Sequence, residues 1–280
     1  AMPSRVVPPW SGVPEAGPGS SQIIDHDEKV HTAAVKYLEN EVNTSNPFAL
    51  CVGYLAPHFP YKVPEPYFSQ YYPNNVDMPD IPAGHMHSLP TASRRKRTIA
   101  GWEDSCYTKD EILRARAAYF GLCSYMDQKI GHLLNVLETT GVADNTIIIY
   151  TSDHGELIGE HGLWRKNSFY EQSSRVPLQI TWPGTVPENT RSDSPVSLVD
   201  LTATILEIAG LDLADPAYCL LDGDSLTPLL LGNSEGWKNE AFTEYEAPAT
   251  DRPEAMLRLG NWKLCFGYGD PPELELYDLK

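Results

Sequence analysis

Three short segments of the sequence combine residue types that are used in catalysis and metal binding. The first is Thr151-Ser-Asp-His-Gly-Glu156, in which Asp153 offers a carboxylate and His154 an imidazole. Neighbouring oxygen and nitrogen ligands of this kind can converge on one divalent ion. The same residues would also suit a plain strand-to-loop turn in which the aspartate caps a backbone amide. The segment therefore leaves two alternatives, a metal site or a capped turn.

The other two segments carry a lysine and a histidine. Lys166 ends the glycine-rich loop 159–166, and a lysine held there would suit a tetrahedral anion, although a lone lysine is usually just solvated. His58 lies between Pro57 and Pro60, which restrict the backbone and so orient the imidazole. A histidine in such a loop can also make no more than an ordinary hydrogen bond.

The elements that must position these residues follow an alternating pattern. Apolar periodicity and turn residues predict helices and strands in alternation along the first 232 residues. Thr108 and Glu111 form a capping box at the start of the longest helix. The predicted helices are 27–42, 109–139 and 198–209, and the predicted strands are 48–53, 146–151 and 177–182. We therefore expect an α/β fold, a helix-flanked and mainly parallel sheet, in which 146–151 is a buried central strand.

His58 and Asp153 each follow one of these strands, and α/β sheets place their ligand sites at the carboxyl ends of strands. We divide the chain into an α/β domain, 1–232, with an irregular lead-in, 1–24, and a small antiparallel C-terminal subdomain, 233–280. Three strands are predicted in that subdomain. The proline-rich segment 54–107 is predicted to be a long irregular loop, and loops of that length are usually functional.

Composition excludes some classes of function. Lys+Arg is 21 and Asp+Glu is 38, which gives a net charge of −17. This charge argues against nucleic acid as a partner, because phosphate repulsion would not be offset. We expect no membrane span, since the apolar runs are far shorter than the ~20 residues a spanning helix needs. No Cys-x-x-Cys pair is present, so a structural zinc site is not expected. No signal peptide is recognised, and the compartment stays open.

Taken together, the motifs resemble those of the sulfatase family, within the alkaline-phosphatase-like superfamily. The resemblance is carried by segments 53–61, 116–178, 199–210, 222–232 and 274–279, and covers nearly everything from about Asp25 to Lys280. It is strongest to the group that includes choline-sulfatase and iduronate-sulfatase-type enzymes. The fold it implies is the alkaline-phosphatase-like sheet, present incompletely, with a small C-terminal antiparallel α+β subdomain.

The resemblance also implies roles for the four residues. Asp153 and His154 match a pair of metal ligands, usually for Ca²⁺. Lys166 and His58 match the side chains that contact the sulfate, and His58 is also matched to protonation of the leaving oxygen. The implied reaction is hydrolysis of a small-molecule or saccharide sulfate monoester to an alcohol and sulfate.

One departure from the family pattern limits what this chain is expected to do. The formylglycine that serves as nucleophile arises in a Cys (or Ser)-x-Pro-Ser-Arg motif. Residues 1–5 repeat only its tail, with alanine in the key position, which we interpret as coincidence. We therefore expect a C-terminal portion of a sulfatase that is inactive alone, with the formylglycine and the first metal ligands in a missing upstream segment.

Several alternatives remain at this point. One is a phosphomonoester, phosphodiester or phosphonate hydrolase of the same superfamily. Another is a non-catalytic domain used for binding or assembly. We also expect the chain to associate either with the missing N-terminal half or with itself as a homo-oligomer, because an incomplete sheet exposes an edge.

Overall fold

A computed structural model describes residues 12–42, 46–102, 106–218, 220–246, 250 and 252–280. The segment 1–5 thus lies outside the described residues. The helices are α1 (Gln22–Asn40), α2 (Glu65–Phe68), α3 (His85–Ser88), α4 (Thr91–Ala100), α5 (Lys109–Thr139), α6 (Glu171–Ser174), α7 (Leu198–Ile208) and α8 (Thr227–Leu230). The strands are β1 (Gly17–Pro18), β2 (Lys62–Val63), β3 (Ile148–Thr151), β4 (Leu157–Ile158), β5 (Trp164–Arg165), β6 (Leu178–Thr181), β7 (Glu240–Tyr245), β8 (Glu254–Leu259), β9 (Trp262–Gly267) and β10 (Glu273–Asp278).

The chain divides into two compact units. The first comprises 1–89, 93–146 and 154–175, and the second comprises 90–92, 147–153 and 176–280. The predicted boundary at residue 232 remains a prediction.

Helix α5 is the centre of the first unit. Its predicted bounds are confirmed, and so is its capping box, in which Glu111 N–H donates to Thr108 Oγ1 and Thr108 N–H donates to Glu111. The helix packs against α1, α2 and the short β1–β2 pair, which is parallel. The apolar core of the unit gathers around α5, including Ala118, Leu122 and Tyr125.

Helix α1 begins earlier than predicted. Ser21 is its N-cap and accepts a hydrogen bond from the amide of Ile24, so the helix starts at Gln22 and shortens the irregular lead-in. The buried face of α1 includes two polar side chains, Asp27 and His31, among Ile24, Ala34 and Leu38. A charged residue on that face requires partners, and these are described below.

Two predictions about strands were wrong. Residues 48–53 form no strand, because a strand needs a neighbour and no described segment pairs with them. Among the described residues, strand β3 pairs antiparallel with β6 alone and leaves Tyr150 41% exposed, so 146–151 is not a buried strand between parallel neighbours. Its continuous apolar run indicated burial on both faces, which a two-stranded pair does not provide.

The segment 54–107 was predicted to be irregular, but it contains β2, α2, α3 and α4. The basic run Arg94–Arg97 within this segment lies in α4, and Lys96 is buried.

The second unit contains the C-terminal sheet. Its strand order is β10-β9-β8-β7, and every pair is antiparallel, which confirms the antiparallel subdomain. Three strands were predicted for this subdomain, but the described residues contain four, because the chain turns at Gly260 between β8 and β9. Helix α7 in this unit begins at a second capping box, Ser197 with Asp200. The mixed α/β class is thus confirmed. No helix among the described residues has the length and apolar character required to cross a bilayer.

Candidate functional site

His58 is held in a short turn that follows residues 48–53. Its backbone N–H donates to the carbonyl of Leu55 at 3.0 Å, and its Nδ1 lies 2.7 Å from the carbonyl oxygen of Phe59. A carbonyl can only accept, so this contact places the ring proton on Nδ1 and leaves the lone pair on Nε2.

Lys166 meets that lone pair. Lys166 directly follows β5, and its Nζ lies 2.6 Å from Nε2 of His58 although 108 residues separate the two. The carbonyl of Lys166 accepts a hydrogen bond from Ser173 Oγ, which fixes the backbone at the base of the side chain. The structure therefore brings two of the four candidate residues into direct contact.

The surroundings of His58 keep its imidazole neutral. Burial lowers the pKa of His58, the positive charges of Lys166 and Arg165 lower it further, and the bond to the Phe59 carbonyl opposes them. An anion placed among these groups would reverse the charge effect. The cluster is therefore electrostatically suited to binding a small anion.

His154 lies in the first unit beside this pair. Its ring is edge-on to that of His58, with 6.0 Å between centroids, and its Nδ1 lies 2.8 Å from the carbonyl oxygen of Gly155. This contact places the proton on Nδ1 and directs the lone pair to Nε2, the arrangement a metal-binding histidine needs. Asp153 precedes it in the chain and belongs to the second unit.

A metal ion would need more ligands than these two. Ca²⁺ takes six to eight oxygen ligands, and among the described residues no group of three or more His, Cys, Asp or Glu is arranged to hold an ion.

Near the His58–Lys166 pair, Tyr61 and Glu156 form a buried hydrogen-bonded pair. Tyr61, fully buried, donates a 2.6 Å hydrogen bond to Oε1 of Glu156. Burial raises the pKa of Glu156 to about 7, and the hydrogen bond from Tyr61 and the charges of Lys166 and Arg165 oppose that rise. The Arg165 guanidinium lies 3.8 Å from the ring centroid of Phe59, next to His58. Glu156 thus connects Tyr61, three residues after His58, with Arg165 of β5, the residue before Lys166.

Glu160 and His161, in the loop 159–166, make contacts with other parts of the chain. Glu160 accepts a hydrogen bond from Arg116 at 2.6 Å. Nδ1 of His161 lies 2.9 Å from Nε2 of His85, and the His161 ring stacks on that of Tyr170.

Sequence reasoning missed Asp27. Its carboxylate is 0% exposed and accepts hydrogen bonds from the amides of Leu55 and Ala56, at 2.8 and 2.9 Å, just before His58. One signal was available in the sequence. Asp27 lies four residues after Ile23 and four before His31, on what proves to be the buried face of α1.

The fold of this chain is similar to those of two solved structures. The fold matches a phosphonate monoester hydrolase from Silicibacter pomeroyi, with a TM-score of 0.75, 24% identity and coverage of 98% of this chain and 60% of that one. It matches equally BT4656 in complex with its substrate D-glucosamine-2-N,6-O-disulfate, with a TM-score of 0.75, 24% identity and coverage of 90% and 63%.

Two family models match this chain. The sulfatase family model matches residues 16–211, and the model for the C-terminal region of N-sulphoglucosamine sulphohydrolase matches 159–280. The chain belongs to the sulfatase family.

Curated relatives agree with this assignment. Choline-sulfatase from Rhizobium meliloti (strain 1021) is 32% identical over 94% of this chain and 52% of its own length. Arylsulfatase K from Bos taurus is 33% identical over 92% and 50%, respectively. The chain therefore spans about half the length of the curated relatives it matches.

Proposed function

We propose that this chain contributes the sulfate-binding side of an enzyme that hydrolyses a sulfate monoester to an alcohol and sulfate. The observation that supports it is the 2.6 Å contact between Lys166 Nζ and His58 Nε2, in a chain of the sulfatase family. A small-molecule or saccharide sulfate ester is the substrate class we propose. Choline-sulfatase and the disulfated glucosamine complex are the relatives that suggest it.

The two side chains have complementary roles. The ammonium of Lys166 donates to a non-bridging or bridging sulfate oxygen and stabilises the charge that grows as the S–O bond breaks. Nε2 of His58 shares a proton with Lys166 before the substrate binds. When the anion binds, it favours the protonated imidazole, which takes its proton from solvent while Lys166 stays an ammonium, and that proton passes to the leaving alkoxide, which departs as the alcohol.

The remaining roles in the proposal come from the family resemblance. Asp153 and His154 are proposed as two ligands of a Ca²⁺ site that draws its other ligands from elsewhere. Formylglycine is the proposed nucleophile, in sequence outside this chain. When bound, the metal would polarise the sulfate oxygens.

Anion binding provides the direct test of this proposal. Sodium sulfate is titrated into the chain at constant ionic strength and followed by calorimetry and by the imidazole resonance of His58. We expect Lys166→Ala to weaken binding by about tenfold or more, equivalent to about 1.4 kcal/mol. Lys36→Ala, which removes an exposed lysine on α1, is the matched control and should leave binding unchanged.

Competition decides between ester classes. Methyl sulfate, methyl phosphate and methylphosphonate are compared as ligands of the same site. Preference for the sulfate ester, lost in Lys166→Ala, supports the proposal. Sulfate binding that survives both Lys166→Ala and His58→Gln, or preference for the phosphorus esters, contradicts it.

A further inference from the structure

Asp27 is a buried charge whose principal partners lie in another part of the chain. It sits on α1, yet each of its carboxylate oxygens accepts one backbone N–H from a segment 28 and 29 residues further on: Oδ1 from Leu55 and Oδ2 from Ala56. The neighbouring His26 also lies 3.0 Å from Oδ1 through its Nδ1. A buried carboxylate is costly unless it is fully bonded, so this arrangement constrains both partners.

The bonds continue from Asp27 to the imidazole of His58. Leu55 uses its N–H to bond Asp27 and its carbonyl to accept from the N–H of His58 at 3.0 Å. His58 then bonds the Phe59 carbonyl through Nδ1, which turns Nε2 toward Lys166. The backbone on which this imidazole depends is thus fixed, two and three residues upstream, by a side chain of α1.

We infer that Asp27 is a positioning residue for His58: its carboxylate clamps the amides of Leu55 and Ala56 and so sets the tautomer and direction of the imidazole. The inference rests on the proposed function in one respect, that the imidazole is set to meet a sulfate group. Asp27 itself contacts neither Lys166 nor the proposed anion. Its effect is transmitted through the backbone of residues 55–58.

The substitution Asp27→Asn isolates this role. The amide group keeps the size of the carboxylate, but its nitrogen is a donor and cannot accept, so one of the two backbone N–H groups loses its partner. Asp25→Asn is the matched control, because it removes the same charge two residues earlier on the same helix from an exposed side chain. Circular dichroism confirms that both variants are folded at the temperature used.

The first readout needs no ligand. ¹⁵N shifts of the His58 ring report which nitrogen carries the proton. We expect the Nδ1–H tautomer in the wild type and in Asp25→Asn, and a mixture of tautomers in Asp27→Asn. A merely structural aspartate would lower the melting temperature without changing the tautomer of a folded protein.

The second readout is the affinity for inorganic sulfate. We expect Asp27→Asn to bind sulfate about tenfold more weakly, a loss of about 1.4 kcal/mol, while Asp25→Asn matches the wild type. An unchanged tautomer together with unchanged sulfate affinity in Asp27→Asn would overturn the inference. If the wild type shows the Nδ1–H tautomer but binds no sulfate, the proposed function fails while the positioning role is still decided by the tautomer of the variant.

Hydrogen exchange keeps the inference testable if Asp27→Asn does not fold. In the wild type, the amides of Leu55 and Ala56 should exchange as slowly as those of the buried face of α1, although they belong to no helix or strand. Exchange as fast as that of exposed loop amides would show that the clamp is not formed, and would overturn the inference.

Discussion

The Nζ atom of Lys166 lies 2.6 Å from Nε2 of His58, and the two residues come from loops 108 positions apart. This is the distance of a hydrogen bond from an ammonium group to a neutral imidazole. Burial and the adjacent cations lower the pKa of His58, so the imidazole is able to act as the acceptor near neutral pH. A bound anion would accept hydrogen bonds from Lys166 Nζ and from His58 Nε2, and would therefore favour protonation of the imidazole.

Catalysis in the intact enzyme should depend on Lys166. An ammonium that stabilises charge on the bridging oxygen acts more strongly in the transition state than in the ground state, so its loss appears mainly in kcat. We expect Lys166→Ala to lower kcat roughly 10²–10³-fold with little change in Tm. Release of inorganic sulfate, measured by ion chromatography, is the assay. Wild-type kcat in this variant for several sulfate esters would show that the loop 159–166 is only structural.

The pKa of His58 should respond to the same lysine. Lys166→Met keeps the length of the side chain but removes a cation that disfavours the imidazolium, so the pKa of His58 should rise toward its ordinary value. Burial and Arg165 still act on the ring, so part of the lowering should persist. Proton–carbon NMR of the ring across pH gives the value, with Lys36→Met as control. An unaltered His58 titration would mean that the two side chains are not in contact in solution.

The sequence predicted the long helix α5 well because helix signals are local. The capping box at Thr108 marks the start of this helix from adjacent residues, and the predicted end at Thr139 is also found. The strand predicted at 48–53 failed because pairing depends on a partner remote in sequence, and none is found among the described residues.

The candidate site divides in the same way. His58 and Lys166 were identified by residue type, loop context and family resemblance, but their contact is a tertiary fact that no spacing contains. Asp27 was missed because the predicted helix began at this residue, and an aspartate in the first turn of a helix ordinarily faces water. Only the buried face of α1 and the amides of Leu55 and Ala56 reveal its role.

Removing the hydroxyl of Tyr61 should destabilise the first unit. Tyr61 is fully buried and donates to Glu156 at 2.6 Å, so Tyr61→Phe leaves a buried carboxyl oxygen with one partner fewer. The expected loss is about 1–3 kcal/mol in urea unfolding. Tyr37→Phe is the control, because its half-buried ring keeps its edge-on packing against Phe48. Equal stability of the two variants would show that the Tyr61–Glu156 bond adds nothing.

The N-cap of α5 should contribute measurably to the free energy of unfolding. Thr108→Ala removes the side-chain oxygen that accepts from the amide of Glu111, and such losses cost about 0.5–2 kcal/mol. Thr32→Ala provides the comparison, since its exposed hydroxyl donates to the Glu28 carbonyl within α1 and caps nothing. We expect that change to stay within about 0.5 kcal/mol. A Thr108→Ala protein as stable as Thr32→Ala would indicate that the capping box is not formed in solution.

The C-terminal sheet presents an apolar row to solvent. Leu257, Leu264 and Leu276 lie directly opposite one another on β8, β9 and β10, and Leu276 is 65% exposed. Exposed apolar patches of this kind bind hydrophobic dyes and promote association. We expect Leu276→Lys to reduce dye fluorescence and concentration-dependent association in sedimentation velocity. Because the side chain is mostly exposed, stability should change by no more than about 0.5 kcal/mol. Ser234→Lys, which adds the same positive charge at an exposed polar residue, controls for a change of charge alone. Dye binding and sedimentation that Leu276→Lys leaves untouched would show that this row is covered in solution.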